Sequence, residues 1–389
     1  MKSPTKVILL ALTALLLFAS MLQQATEVFH FKALSGVTYE AEKPEVSFSA
    51  FLDHSLQDST EAYLQQHYGF REPLTRLHNQ ALWSLFRYAK VAEDQRIMIT
   101  PDNWIFEPWT VEEYYQSHAY QHAKDSATIV EMMEAEAQRL LEVQHLLEPY
   151  NTHLFVALLP GKEQICGEHM PKNTQYFKEK KITAYDFYAK RLKELGVNHI
   201  DLAECFMQMK DTVSYPLFPQ TGTHWSNLAA IHAADTLIRY MEWLSDTNMV
   251  NILIDNSFQR TLKPDADLES LMNLIWPLKK EPNFLASTSY DCDTTAWRPQ
   301  LITIGDSFYW NILNFTPVWH VFTSTPYWYY FSTAVFDGDE TDISKKDVLQ
   351  EVIDADFVML SYSSVALYKM SNGFSERLLR ELKQKEKRP

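Results

Sequence analysis

The sequence predicts an α/β protein, a three-layer sandwich around a mostly parallel sheet, preceded by an N-terminal membrane helix. Three observations carry this prediction. Runs that are apolar throughout alternate with amphipathic stretches of helical spacing, the pattern of parallel strands covered on both faces. Several of those runs stop at turn-forming residues, where open α/β sheets place their functional loops. An uninterrupted apolar segment, Val7 to Leu22, stands near the start. The chain can also bury a full core, since 389 residues with 46% hydrophobic and 22% charged positions suit one large domain with appendages.

Taken in order, residues 1–25 form the membrane segment, in which "VILLALTALLLFASML" follows Lys2 and Lys6. It lies at the short end for a spanning helix and above a signal h-region, and "ASMLQQA" offers no small-x-small cleavage site. An uncleaved anchor is therefore favoured over a cleaved signal. The two lysines ahead of it put the N-terminus in the cytoplasm and the body outside, in the periplasm. Residues 26–97 read as a connecting arm, in which "HYGFREPLTRLHNQALWSLFRYAK" carries one amphipathic helix through Leu74, Leu77, Leu82 and Leu85.

Residues 98–389 hold the α/β domain. "IMITPDNWIFEPW" is a hairpin about a Pro-Asp-Asn turn. The long helix "ATIVEMMEAEAQRLLEVQHLLEPY" leads into the strand "HLFVALLP", which stops at Pro160-Gly161. "AYDFYAKRLKELG" is a helix closed by Gly196, followed by the strand "VNHIDL". "SNLAAIHAADTLIRYMEWLSD" is a helix capped by Ser226. "PQLITIGDS" and "VWHVFTS" read as strands, "KKDVLQEVID" as a helix, "ADFVMLSYS" as a strand and "SERLLRELKQ" as the closing helix.

The composition excludes several functions. A net charge of −15 repels a phosphate backbone, and the one basic run, "KQKEKRP", is short and of mixed sign, so nucleic acid is no partner. Three cysteines, Cys166, Cys205 and Cys292, allow at most one bridge, and their spacings fit no metal site. His118 and His122 in "HAYQH" have helical spacing without the Glu or the third ligand that a metal site needs, so no metal is expected.

Two short motifs carry chemistry. In "ITIGDSF", Ser307 stands just past a buried strand, beside Gly305, which permits close backbone approach. Free N–H groups at a turn there would stabilise an oxyanion next to the hydroxyl. The pattern is not the G-x-S-x-G elbow, because no second Gly follows Ser307. A serine hydroxyl needs a base in hydrogen-bond reach, and His224 in "TGTHWS", on a loop of small residues before a helix, is the candidate. Asp306, Asp201 and Glu163 sit at strand ends as candidate carboxylates, each with a turn or capping role as its alternative. Thr223, Trp225, Lys162 and Tyr309 are expected to line the substrate, with Arg298 a further polar contact, and for Lys162 and Arg298 alike a solvated loop charge is the alternative. Trp310, Trp319, Trp328, Tyr329 and Tyr330 are either sugar-stacking or core aromatics.

From Tyr68 onward the chain resembles the SGNH-hydrolase-like domain of the alginate O-acetyltransferases of the AlgX/AlgJ type, a DHHW-like family. The likeness rests on "YGFRE", "LLPGKEQICGEHMP", "TGTHWS", "ITIGDSF" and "PYWYYF" in this order behind a membrane segment. It implies a flavodoxin-like SGNH sandwich, Ser307 as the nucleophile that carries an acetyl group and His224 as its base. It also implies that no cofactor is used, a membrane-bound O-acyltransferase partner delivering the acetyl group for transfer to hydroxyls of an exported polysaccharide. The family has Asp two residues before the His, and here that position is Gly222. This leaves a dyad oriented by a backbone carbonyl, a carboxylate recruited from elsewhere, or a site that no longer turns over. The functional expectation is thus an extracytoplasmic O-acetyltransferase, with a glycan O-acetyl esterase or a glycan-binding scaffold of an export complex as alternatives. The negative charge favours a glycan less acidic than alginate.

Overall fold

The computed structural model describes residues 4–36, 41–89, 91, 96–115, 126–171, 181–255, 258–261, 266–291 and 295–387. His118, His122 and Cys292 lie outside the described residues. Two compact units are present, Met1–Ile97 with Asp267–Lys279, and Met98–Ala266 with Lys280–Pro389.

In the first unit, helix α1 (Pro4–Thr26) is the one helix among the described residues long and apolar enough to cross a membrane. It is followed by α2 (Phe48–Leu52), α3 (Ser55–His67) and α4 (Arg71–Phe86). The "YGFRE" motif forms a seat for the end of α1. At Gly69 the backbones meet so closely that a Cβ would stand 2.1 Å from the Ser20 carbonyl oxygen and 2.9 Å from the Gln24 nitrogen. Gln23 is buried and its amide both donates to the Phe29 carbonyl at 2.7 Å and accepts from the Phe29 N–H at 3.1 Å. The Phe70 ring closes the seat against Phe29 and Phe31, at 6.1 and 5.8 Å between centroids.

Helix α4 forms as the leucine spacing predicts, but Leu74, Leu77 and Leu85 face outward. Its buried residues are Asn79, Gln80 and Trp83. Two of these are polar because they satisfy the backbone of the returning segment 267–279: Asn79 donates to the Met272 carbonyl at 2.9 Å, and Gln80 accepts from the Trp276 N–H at 3.0 Å.

The second unit opens with a hairpin pairing Met98–Ile99 and Ile105–Phe106, then α5 (Pro108–Tyr115) and α6 (Ser126–Leu147). Its main sheet comprises β1 (His153–Leu159), β2 (His199–Asp201), β3 (Leu301–Gly305), β4 (Tyr327–Tyr329), β5 (Thr333–Phe336), β6 (Asp339–Asp342) and β7 (Phe357–Ser363). The strand order is β6-β5-β4-β3-β7-β1-β2, parallel from β4 through β2 and antiparallel at the β4-β5-β6 end.

Strand periodicity sorts the side chains into two cores, because successive residues point to opposite faces. Leu154, Val156 and Leu158 of β1, with Val358, Leu360 and Tyr362 of β7, pack under α6, α8 (Ala184–Leu195), α13 (Val348–Asp354) and α14 (Phe374–Glu386). Phe155, Ala157, Leu159, Phe357 and Met359 pack under α9 (Leu202–Met209), α10 (Asn227–Ser245), α11 (Tyr309–Phe315) and α12 (Val318–Val321). Helices therefore cover both faces of a mostly parallel sheet. The short helix α7 (Lys162–Ile165) follows β1.

Local signals set the helix ends. Thr183 and Asp186 make a reciprocal capping box at α8, and the Ser226 hydroxyl accepts from the Ala229 N–H at α10. One predicted strand is corrected. "VWHVFTS" contains the helical turn α12, with Val318 and Val321 both buried, and the strand is the aromatic segment Tyr327–Tyr329. A short apolar run has no period of its own to separate the two states. In β4 alternate residues have a core to enter on each face, Tyr327 on one and Trp328 on the other.

The neighbouring strand β7 presses on Gly305, where a Cβ would lie 2.2 Å from the Ser361 carbonyl oxygen. Gly305→Ala should therefore push β3 and β7 apart and destabilise the unit by about 2 kcal/mol, the usual scale of overpacking. Denaturant midpoints of the two proteins measure this, and an unchanged midpoint would contradict it.

Candidate active site

Ser307 lies in the turn that leaves β3, one strand end among several at this edge of the sheet. The turn is fastened by Asp306, which is buried. One carboxylate oxygen accepts from the Phe308 N–H at 3.1 Å, the other from the Ser363 N–H at 2.8 Å and the Ser363 hydroxyl at 2.5 Å. Its carbonyl accepts from the Tyr327 hydroxyl. Burial pushes the Asp306 carboxyl above the usual carboxylate range, while these hydrogen bonds and the attraction of His224 hold it back. Asp306 thus ties the Ser307 turn to β7.

His224 stands on the loop before α10. The Ser226 hydroxyl donates to the Pro216 carbonyl at 2.7 Å and its N–H to the Leu217 carbonyl at 2.9 Å, closing the loop on itself. Trp225 is fully buried, its indole N–H donating to the Phe308 carbonyl at 3.1 Å. In return the Asn311 side chain donates to the Trp225 carbonyl at 3.0 Å. The Phe308 ring packs 5.0 Å from the His224 ring. This interlock brings His224 Nε2 to 2.9 Å from Ser307 Oγ across 83 residues of sequence. Both side chains are half-buried, so the pair is reachable from solvent.

Tyr330 completes the surroundings of Ser307. Its N–H donates to the Gly305 carbonyl at 2.9 Å and its hydroxyl lies against the Ser307 amide. Burial first, then the nearby Asp306 and Tyr329, push its hydroxyl well above the ordinary tyrosine range, while the Ser307 N–H, from which its oxygen accepts, holds it back.

Lys162 and Glu163 follow β1. Lys162 is 2% exposed and donates to the carbonyls of Ile105 at 2.7 Å, Gln220 at 3.0 Å and Gly222 at 2.7 Å. Glu163 is buried and accepts from the Thr110 hydroxyl, and burial pushes its carboxyl upward. The Thr223 hydroxyl donates to Glu107 at 2.8 Å, and the other Glu107 oxygen accepts from the Trp109 indole at 3.1 Å.

Of the expected site residues, Ser307, His224, Asp306 and Thr223 are brought to one end of the sheet. Trp225, Tyr309 and Lys162, expected to line the substrate, are instead at most 2% exposed and belong to the interior. Trp225 packs against Phe206 and Phe308, and Tyr309 against Tyr327, so both rings fill the core. Asp201 caps α9 through the Glu204 N–H and takes the Tyr185 hydroxyl at 3.0 Å, and Glu163 is engaged with Thr110. Arg298 donates to the carbonyls of Trp319 and Phe322, both at 3.1 Å. Trp328 is core, and Trp319 is exposed beside Phe336.

Glu107, Asn311 and Ser363 were not legible as site residues. Only the order of strands, which puts β7 beside β3, makes Ser363 a partner of Asp306. Cys166 and Cys205 are free, and burial pushes the Cys166 thiol up to about 12. Among the described residues no group of His, Cys, Asp or Glu is arranged to hold a metal ion.

A family model described as the SGNH hydrolase-like domain of acetyltransferase AlgX matches residues 97–310. The chain is similar to the O-acetyltransferase domain of Pseudomonas putida AlgJ at 16% identity, covering 75% of this chain and 99% of that one, with a TM-score of 0.47. It is similar to Pseudomonas aeruginosa AlgX at 10% identity, covering 72% of this chain and 66% of that one, with a TM-score of 0.43. For Bacillus cereus PatB1 the values are 13% identity, 72% and 99% coverage and a TM-score of 0.46. None of the curated proteins matches. The family model, which spans more than half of the chain, carries the assignment, and the distant solved structures add no weight to it.

Asp306 generates a pH prediction. Its raised carboxyl means that the folded chain holds this proton more tightly than the unfolded chain. The resulting stability is full below the ordinary carboxylate range and is lost as pH rises through the folded value. Ser363→Ala removes a hydroxyl that favours the ionised form, pushing the folded value higher still. The stability deficit of the variant should therefore grow with pH, reaching about 1–2 kcal/mol near neutrality. Urea midpoints across the acid-to-neutral range test this, and a deficit that shrinks with pH would contradict it.

Proposed function

The chain belongs to the family of SGNH hydrolase-like domains of the AlgX acetyltransferase type, and on that premise we propose that it is an O-acetyltransferase acting on a polysaccharide through an acetyl-Ser307 intermediate. The observation that carries this reading is the 2.9 Å contact between His224 Nε2 and Ser307 Oγ, a nucleophile and a base in direct reach. His224 takes the Ser307 proton as Oγ attacks the acetyl carbonyl of the donor. The carbonyl oxygen becomes an oxyanion facing the Ser307 amide. Collapse breaks the bond to the donor's leaving group, which departs with the proton from His224. A sugar hydroxyl then gives its proton to His224, attacks the acetyl carbon, and frees Ser307, which recovers that proton.

The acetyl group reaches Ser307 from a membrane-bound O-acyltransferase, and no cofactor takes part. The body works outside the cytoplasmic membrane, in the periplasm, tethered by α1. The seat that Gly69 and Phe70 form for the end of α1 supports a retained helix, because a cleaved leader has no reason for a fitted contact with the mature chain. The acceptor is a glycan of low charge: the protein carries −15, and Glu107 adds a carboxylate next to Thr223, so a polyuronate would be repelled. A second reading, a scaffold that binds glycan without turnover, is favoured by one observation, Gly222 at the position of the family's Asp.

Incubation with 4-nitrophenyl acetate should give a burst of nitrophenol and an acetyl mass on Ser307. Ser307→Ala abolishes both, and His224→Ala slows the burst by about 100-fold or more. Equal release from all three proteins would leave the scaffold. Adding a neutral oligosaccharide should move acetyl to sugar in competition with water, and release to water alone would point to an esterase. In cell fractions the full-length chain should stay with the membrane after alkaline washing, with residues 1–26 still present by intact mass; a mature chain starting beyond Thr26 would refute the anchor.

A further inference from the structure

A lysine is almost never fully buried unless its charge is matched, because desolvating an ammonium costs several kcal/mol. Lys162 is 2% exposed, and three main-chain carbonyls accept from it. An ammonium has three donors, and these carbonyls give each of them an acceptor. The rings of Phe106 and Trp104 stand 4.9 and 5.2 Å from the charge and add cation–π attraction.

Two of those carbonyls, Gln220 and Gly222, belong to the strip of chain just before His224. The third, Ile105, belongs to the hairpin, whose Ile105 N–H donates to the same Gln220 carbonyl at 3.0 Å. The strip is also held at its outer side, where Thr223 donates to Glu107, the residue that follows the hairpin strand. Lys162 itself starts from the end of β1, where the backbone is tightly seated: a Cβ on Gly161 would stand 2.5 Å from the Ser364 hydroxyl. β1 pairs with β7, and β7 with β3, the strand that presents Ser307. The lysine therefore ties the histidine loop to the same sheet that holds the nucleophile.

We propose that Lys162 and Glu107 are positioning residues, an internal clamp that fixes the backbone of Gln220 to Thr223 and so sets the imidazole of His224 against Ser307. The inference rests on the acetyl-transfer reading for its functional meaning and extends it. Where a side chain at position 222 could orient the ring directly, this chain has glycine, and the clamp grips the main chain at that residue instead. A displacement of the base by an ångström is enough to cost about 100-fold in rate.

The test compares wild type with Lys162→Met, which keeps length and apolar stem but removes the donors, and Thr223→Val, which cuts only the outer tie. Acetylation of Ser307 by 4-nitrophenyl acetate is followed per folded molecule, beside thermal melts and hydrogen exchange of residues 220–226. Lys162→Met should lower kcat by about 100-fold with KM within about twofold of wild type, and speed exchange in the loop. Thr223→Val should lower kcat by about tenfold with an unchanged melting temperature. A folded Lys162→Met with wild-type kcat overturns the clamp, even if it melts earlier, since that is a structural role alone. If Lys162→Met does not fold, Thr223→Val decides, and wild-type kcat there overturns the clamp. Should wild type itself form no acetyl-serine, the transfer reading fails, and loop exchange still decides the clamp: protection in Lys162→Met equal to wild type refutes it.

Discussion

The approach of His224 to Ser307 depends on an interlock made mostly by main chain and by neighbouring side chains. His224 and Ser307 come from segments 83 residues apart, and one hydrogen bond between them is worth about 1 kcal/mol net, too little to hold two loops in register. The register comes from Trp225 and Asn311. The indole N–H of one reaches the Phe308 carbonyl, and the amide of the other reaches back to the Trp225 carbonyl, so each loop donates to the other's backbone. Trp225 is wholly buried, and burial of so large a side chain contributes more than any single polar contact in the site. The contact between His224 and Ser307 is thus a consequence of core packing one residue away from it on either side.

Around that interlock stand three buried ionisable groups, Asp306, Lys162 and Glu163, and all three are answered chiefly by neutral groups. Asp306 is held by two N–H groups and a hydroxyl, Lys162 by three carbonyls, and Glu163 by the Thr110 hydroxyl. Such groups contribute little net stability and specify one arrangement, because any shift leaves a charge unsatisfied at low dielectric. Asp306 holds the turn of Ser307, and Lys162 bonds to the loop that carries His224. The contrast with the exposed pairs on the helices, such as Lys190 with Glu194, is one of precision: those pairs are solvated and tie nothing to the sheet.

The sequence made the frame legible wherever periodicity and turn residues agreed. The strands at His153–Leu159, Leu301–Gly305 and Phe357–Ser363 are apolar on both faces and end at Pro160, Gly305 and Ser363, and they lie side by side in the sheet. What stayed hidden was direction and adjacency. Trp225 and Tyr309 flank the chemistry in sequence and point into the core in space, and no composition rule distinguishes those orientations. Lys162 reads as a substrate contact or a solvated loop charge, because a sequence cannot show that three carbonyls converge on one point. Ser363 was invisible for a similar reason: its partner lies on the next strand, and strand order is a property of the whole sheet. Segment Val318–Val321 was misread since its two valines satisfy a helical turn as well as a strand.

The same sheet end uses backbone strain in two opposite ways. At Gly305 the chain needs space, and glycine supplies it by having no Cβ to meet Ser361. At Tyr330 and Phe331 the chain adopts left-handed conformations, φ of 48° and 52°, without using glycine. For side-chain-bearing residues this costs of order 1 kcal/mol each or more. The ring at 330 is what the strain secures. Tyr330 is pinned through its N–H to Gly305 and through its carbonyl to the side chain of Asn372, itself left-handed at φ 48°, so both main-chain groups are spent on holding the turn. With the backbone fixed in this way the hydroxyl is delivered to the Ser307 amide. A glycine would relieve the turn and remove the hydroxyl, so the strained residue keeps a polar acceptor for the Ser307 N–H.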